Sequence, residues 1–312
     1  MFLENALIAA EQVAVLYIIV AVGFLADKTK LFTEKTAKRC TDLLFYIIAP
    51  AIIINSFLSI EYSSKTVKGL FTAIGCGMLL HTVAIIINAP FFRKGDRLKN
   101  PVLKFAGIYG NCGYMALPLA NAVIGPMGVF YCSAVIMSFQ IFVFTHGVFI
   151  MDKSEKGSEK FDFKKIVLNP GTLSVAVGLP LFLLKVNLPV ILSSPIGYIA
   201  SMNTPLAMLI FGTYIANTNF RTAFKEKGIL LTGALKLIVL PLIMIALFKL
   251  FGLEGDLLTS LVISSSAPSA NNTVIFAAKY DKDAGIAAQA VSIISFVSII
   301  TMPLMIAFSK AI

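Results

Sequence analysis

Two stretches of this chain are apolar and long enough to cross a bilayer, yet neither can be one straight helix. The first, residues 107–125, reads GIYGNCGYMALPLANAVIG. Gly107, Gly110 and Gly113 weaken its first half, and Pro118 removes a backbone donor from its middle. Asn111 and Asn121 place amides at membrane depth. The second, residues 257–280, reads LLTSLVISSSAPSANNTVIFAAKY, with Pro268 in its middle, a serine run before it and Asn271 and Asn272 after it. In hydrocarbon each unpaired backbone group costs several kcal/mol, so such breaks survive only inside protein or against a wet cavity. Interrupted spans at matching places in two halves of a chain point to a transporter's substrate site.

The rest of the chain supplies the membrane context. Of 312 residues, 58% are hydrophobic and 13% charged, the composition of a polytopic helical membrane protein. Hydropathy places ten spans, near 5–26, 40–58, 67–92, 102–124, 127–151, 166–184, 189–216, 228–251, 256–279 and 284–309. The first span lacks a basic leader and reads as a true span rather than a signal peptide. A polar linker, 152–165, divides the chain into 1–151 and 166–312, five spans each. The net charge of +10 sits in short loops and does not argue for nucleic acid. Of the 26 Lys and Arg, twenty lie on one side, five on the other, and Lys236 lies inside a span. That bias predicts a multi-pass protein of the cell membrane with the linker cytoplasmic and both termini outside. The four cysteines show no metal spacing and read as free thiols. No nucleotide fingerprint, metal-spaced set or hydrolase triad is present, which predicts no cofactor and no enzyme.

Five spans per half means that the halves enter the membrane from opposite faces, so any likeness between them is an inverted repeat. Pro50 in span 2 matches Pro205 in span 7, and Pro118 in span 4 matches Pro268 in span 9; Ala120 and Ala270 follow the second pair. Pro118 and Pro268 are expected as first residues of second half-helices, where a missing donor costs nothing. Each new N-terminus carries roughly half a positive charge, and two of them meeting would favour an anion. Asn111, Ser269, Asn271 and Asn272 can donate to a carboxylate, or satisfy the freed backbone instead. No Asp or Glu lies between Arg97 and Met151, between Leu257 and Tyr280, or within spans 3, 8 and 10, which favours an anion held by amides and dipoles over a cation. The basic groups there are His81 in span 3, His146 in span 5 and Lys236 in span 8. A charged Lys at a helix centre costs about 2.5–3.5 kcal/mol and so faces a partner or cavity. A histidine can carry a coupled proton near neutral pH, or simply be a buried, bonded imidazole. Glu11 and Asp42 fall in spans 1 and 2 and read as interfacial or locally bonded.

These residues resemble the auxin efflux carrier family, which includes plant PIN auxin carriers and bacterial malate or malonate permeases. Residues 111–119, NCGYMALPL, are similar to the family's N-x-x-x-M-G-I-P-L run, with Ala116 where glycine is usual. Residues 267–280, APSANNTVIFAAKY, resemble its second crossing; 204–212, TPLAMLIFG, its seventh span; and Asn169-Pro170 the opening of its sixth. The resemblance implies an all-α, five-plus-five inverted repeat of the sodium/proton-antiporter and bile-acid-transporter type, with broken, crossing spans 4 and 9. It implies a scaffold of spans 1, 2, 6 and 7 that forms homodimers, and a moving transport domain of spans 3–5 and 8–10. It places substrate contact at Asn111, and the absence of a long cytoplasmic loop implies no phosphorylation control of that kind. The expected function is alternating-access transport of a small organic anion such as malate or malonate. The expected site is Asn111, Gly113, Pro118, Pro268, Ser269, Asn271 and Asn272, with His81 and Lys236 in possible coupling or support. Coupling to Na+ or H+ stays open, as do a cation exchanger on the same fold and a sensor that binds without transporting.

Overall fold

A computed structural model describes residues 2–93, 95–151, 168, 170–218 and 225–311, the side chains of 2–10, 12 and 13 excepted. The linker 152–165 and Asn169 lie outside the described residues. Among those described, the secondary structure is helical, with a single pair of bridged residues. Helices α1 (Phe2–Lys28), α2 (Glu34–Ser59) and α3 (Ser64–Asn88) precede the first interrupted stretch. That stretch comprises α4 (Lys99–Ile108) and α5 (Cys112–Val123); α6 (Pro126–Met151) follows. The second half holds α7 (Pro170–Leu183), α8 (Val190–Ala216), α9 (Lys227–Leu250), α10 (Gly255–Ser266), α11 (Asn272–Lys279) and α12 (Ala284–Ala311). Six of these, α2, α3, α6, α8, α9 and α12, are long and apolar enough to cross a membrane, which makes this a multi-pass membrane protein.

Local chemistry sets the helix ends. Ser63 and Thr66 form a reciprocal capping box at α3. Asp96, outside the spans, accepts from the N–H of Leu98 (2.8 Å) and Lys99 (3.2 Å) and so opens α4. These donors hold its carboxyl below its ordinary value. Gly125, at φ +88°, makes the turn from α5 to α6, and Pro126 opens the new helix. Three helices widen into a π turn just before a proline: Leu44–Ile48 before Pro50, Cys112–Ala116 before Pro118 and Leu235–Val239 before Pro241. Proline has no N–H and its ring crowds the carbonyl four residues back; one wider turn accommodates both faults without breaking the helix.

Packing groups the helices into two sets of neighbours, which meet where α1 lies on α12 and where α2 and α7 lie on α6. Helix α1 lies on α8, where Gly23 faces the Leu209 carbonyl and Gly212 the Val20 carbonyl, too close for any side chain. Helix α2 packs on α7 and α8. Elsewhere α3 packs on α6, α10 on α6 and α12, and α9 on α10 and α12. An edge-to-face trio of Phe57, Phe130 and Phe182 joins α2, α6 and α7, with centroids 4.9 to 6.2 Å apart.

Candidate functional site

Both interrupted stretches unwind, and their unwound segments are bonded to each other. Helix α4 ends at Ile108 and the next helical residue is Cys112; α10 ends at Ser266 and α11 begins at Asn272. Between them Gly110 and Ser269 form an isolated antiparallel bridge. The N–H of Asn111 donates to Pro268 O (2.7 Å), and the N–H of Ala270 donates to Tyr109 O (2.9 Å). The Ser269 hydroxyl donates to Ala106 O (2.7 Å), a carbonyl freed at the end of α4. Each break therefore supplies partners for groups that the other leaves open, which is what hydrocarbon depth demands.

The two prolines do not open the second half-helices. Pro118 lies inside α5, beyond its π turn, and Pro268 lies within the unwound segment 267–271. The first break falls instead at residues 109–111, inside the glycine run. Glycine gains most from leaving a helix, while the proline's lost donor is absorbed by the wider turn.

Four expected residues, Asn111, Gly113, Asn271 and Asn272, line a cleft of about 50 Å³. Its opposite wall is Phe45, Ala49 and Ile53 of α2. Asn111 is 5% exposed; its Oδ1 accepts from Tyr114 N (3.1 Å), capping α5, which leaves its amide nitrogen for the cleft. Among the described residues, the side-chain amides of Asn271 and Asn272 have no hydrogen bond, and neither do the backbone N–H groups of Gly113, Asn271 and Asn272. The cleft wall thus offers uncommitted amide donors, with the amide oxygens of Asn271 and Asn272 beside them. Pro118, Pro268 and Ser269 are buried and do not line it; Ser269 is spent on Ala106. The cleft has room for a few waters, and any larger guest needs its walls to part.

Lys236 was a residue whose direction no pattern could give. It sits in the π turn of α9, 1% exposed, and its ammonium reaches the crossing. A Cβ added to Gly110 would lie 2.9 Å from Lys236 Nζ and 3.3 Å from Ala267 O. At an effective dielectric of about 20, a unit anion roughly 6 Å from that ammonium gains about 3 kcal/mol. His81 is also buried, its Nδ1 2.7 Å from Gly77 O and its ring stacked on Phe142 (5.3 Å, 19°), the arrangement of a bonded core imidazole. His146 meets the Tyr109 hydroxyl (3.0 Å) and lines a separate cavity of about 720 Å³ with Arg93, Arg97 and Lys282. Glu11 and Asp42 are exposed.

Two residues at the crossing, only the first of which lines the cleft, have no place among the expected ones. Gln140, on α6, is 4% exposed and lines the cleft; a lone amide in an apolar span was the available signal. Tyr109 supplies a bridging carbonyl and a hydroxyl bonded to Phe142 O (2.9 Å) and His146. Nothing in its sequence context marks that double role.

Comparison with known proteins agrees with this architecture. The chain matches the family described as "Membrane transport protein" over residues 8–306. It is 22% identical over 305 residues to an "Uncharacterized transporter" of Methanocaldococcus jannaschii, covering 96% of this chain and 98% of that one. It is 23% identical over 218 residues to a "Putative malonate transporter" of Rhizobium meliloti, covering 68% of this chain and 67% of that one. The chain therefore belongs to the membrane transport protein family, the auxin efflux carrier group that its motifs resemble, and is a transporter rather than an enzyme.

Proposed function

We propose that this protein carries a small organic anion, a malate- or malonate-like carboxylate, across the membrane by alternating access. The observation that carries the reading is the bonded pair of unwound segments, whose Asn111, Asn271 and Asn272 line one cleft while an ammonium stands beside Gly110 of its wall. Such a wall is complementary to a carboxylate and repels a cation. The malonate in the name of the Rhizobium meliloti relative supports that substrate class.

In this reading the chain is a ten-span, five-plus-five inverted repeat, and α4–α5 and α10–α11 are its broken, crossing spans. Helices α1, α2, α7 and α8 form the scaffold, through which two copies dimerise. Helices α3–α6 and α9–α12 form the transport domain. The linker is cytoplasmic and both termini lie outside. The cleft lies between the crossing and α2 of the scaffold, so sliding one body past the other opens it to each side in turn.

The test is a thermal-shift panel of small carboxylates on the purified protein, each with and without sodium and at two pH values, followed by counterflow in proteoliposomes. Malonate or malate should stabilise the protein and exchange across the membrane; a sodium- or pH-dependent shift would identify the coupling ion. Cation movement driven by a pH gradient with no organic anion present would replace this reading with a cation exchanger. Tight carboxylate binding with no counterflow would replace it with a sensor.

A further inference from the structure

Among the described residues the ammonium of Lys236 meets no acidic side chain. Among the described residues its ammonium makes no hydrogen bond and no ion pair. The sequence holds no Asp or Glu in 62–95, 98–151, 227–253, 257–280 or 284–312, the segments that surround the crossing. Its ammonium lies beside the backbone of Gly110, and the Cys112 thiol is its electrostatic neighbour. Gly110 itself lines the cleft, so the ammonium stands beside one residue of the cleft wall. Among the described residues the scaffold lines the cleft with Phe45, Ala49 and Ile53 of α2 and with Gly171 of α7.

We infer that the protein is an obligate anion exchanger, because the fixed charge of Lys236 must be neutralised by a bound carboxylate before the crossing can move past the apolar scaffold. The inference rests on the carboxylate reading above and adds the mode of transport. With a dicarboxylate in the cleft one carboxylate is the counter-ion of the ammonium and the other meets the amide donors of Asn111, Asn271 and Asn272, so no charge of the loaded site crosses without a partner. An empty site would carry a bare cation past Phe45, Ala49 and Ile53, at the cost that any uncompensated charge meets at membrane depth. The empty carrier is therefore trapped on one side until it reloads. Net flux is slow, and one-for-one exchange is fast.

The test compares two fluxes in proteoliposomes loaded with labelled malonate, the membrane potential clamped with potassium and valinomycin. Release into buffer containing malonate measures exchange; release into malonate-free buffer measures net efflux. Exchange should exceed net efflux by about tenfold or more in the wild type. Lys236→Arg, which keeps the charge, should keep that ratio. Lys236→Gln should bring the ratio close to one, even where its affinity for malonate is weaker, and stabilisation by malonate shows that the variant is folded. Malonate flux with a wild-type ratio near one, or a ratio unchanged in Lys236→Gln, overturns exchange while leaving the carboxylate reading intact. No flux of malonate, malate or any other small carboxylate in either arm overturns the carboxylate reading and the inference with it.

Discussion

The two breaks are matched in position and unequal in construction. The first, at 109–111, is short and self-supporting: Asn111 caps the helix that follows, and the π turn of α5 begins at once. The second, at 267–271, is longer, and α11 begins at Asn272 without a side-chain cap. It leans on the first. Among the described residues one hydrogen bond runs each way between the breaks, Ala270 N to Tyr109 O and Asn111 N to Pro268 O, and the second break adds a donor from Ser269 Oγ to Ala106 O of α4. One break is thus a brace, and the other keeps its polar groups uncommitted for a guest. An inverted repeat allows this division, because two copies of one geometry need not carry the same chemistry.

The comparison breaks most completely where the brace is cut. Ala270→Pro removes the N–H that reaches Tyr109 O and strands that carbonyl in an apolar setting. An unsatisfied buried group costs about 1–3 kcal/mol, and both breaks lose register together. The expected outcome is a lower melting temperature, poor recovery from detergent and no malonate counterflow. Wild-type stability would show that the segments do not depend on each other.

Asn111→Ala comes next, because Asn111 serves both purposes. Its loss should cost about 1 kcal/mol as a cap and also remove an amide donor from the cleft. Specific uptake should be abolished in a protein that is folded but several degrees less stable. Asn111→Asp separates the two roles: the carboxylate restores the cap but repels an anion, so stability should return without uptake.

How much of this was legible beforehand follows from the same contrast. Glycine and proline within apolar runs announce that a span is interrupted, and 107–125 and 257–280 stood out for that reason. The position of the first break is not legible, because a proline reads as the opener of a helix although a single π turn can absorb it; Pro50 and Pro241 behave alike. The donors Asn111, Asn271 and Asn272 were readable from residue type alone. Ser269 was readable as polar, but not as spent on Ala106, because a bond between residues far apart in sequence leaves no periodic trace. The aim of Lys236 toward Gly110 is likewise a tertiary fact: spacing gives its depth, and only packing gives its direction.

At the second break the effects should shift from folding to recognition. Asn271→Ala and Asn272→Ala each remove an amide that lines the cleft without bonding the protein. A hydrogen bond to a charged group is worth about 1.5–3 kcal/mol, or about 10–100-fold in affinity. KM for the carboxylate should rise by that factor while the melting temperature stays unchanged. A fall in stability equal to that of Asn111→Ala would erase the distinction between brace and guest site.

The smallest effect sharpens the comparison most. Ser269 matches Asn111 as a polar residue at the bridge, yet it is fully buried, bonded to Ala106 O and absent from the cleft wall. Ser269→Ala removes one donor while Ala106 O remains near the end of α4, so the cost should be about 1 kcal/mol. Uptake at saturating substrate should stay within about twofold of wild type, because the lost contact joins protein to protein and leaves the guest's donors in place. A raised KM at unchanged stability would put Ser269 among the groups that meet the anion and make the two breaks equal partners in binding.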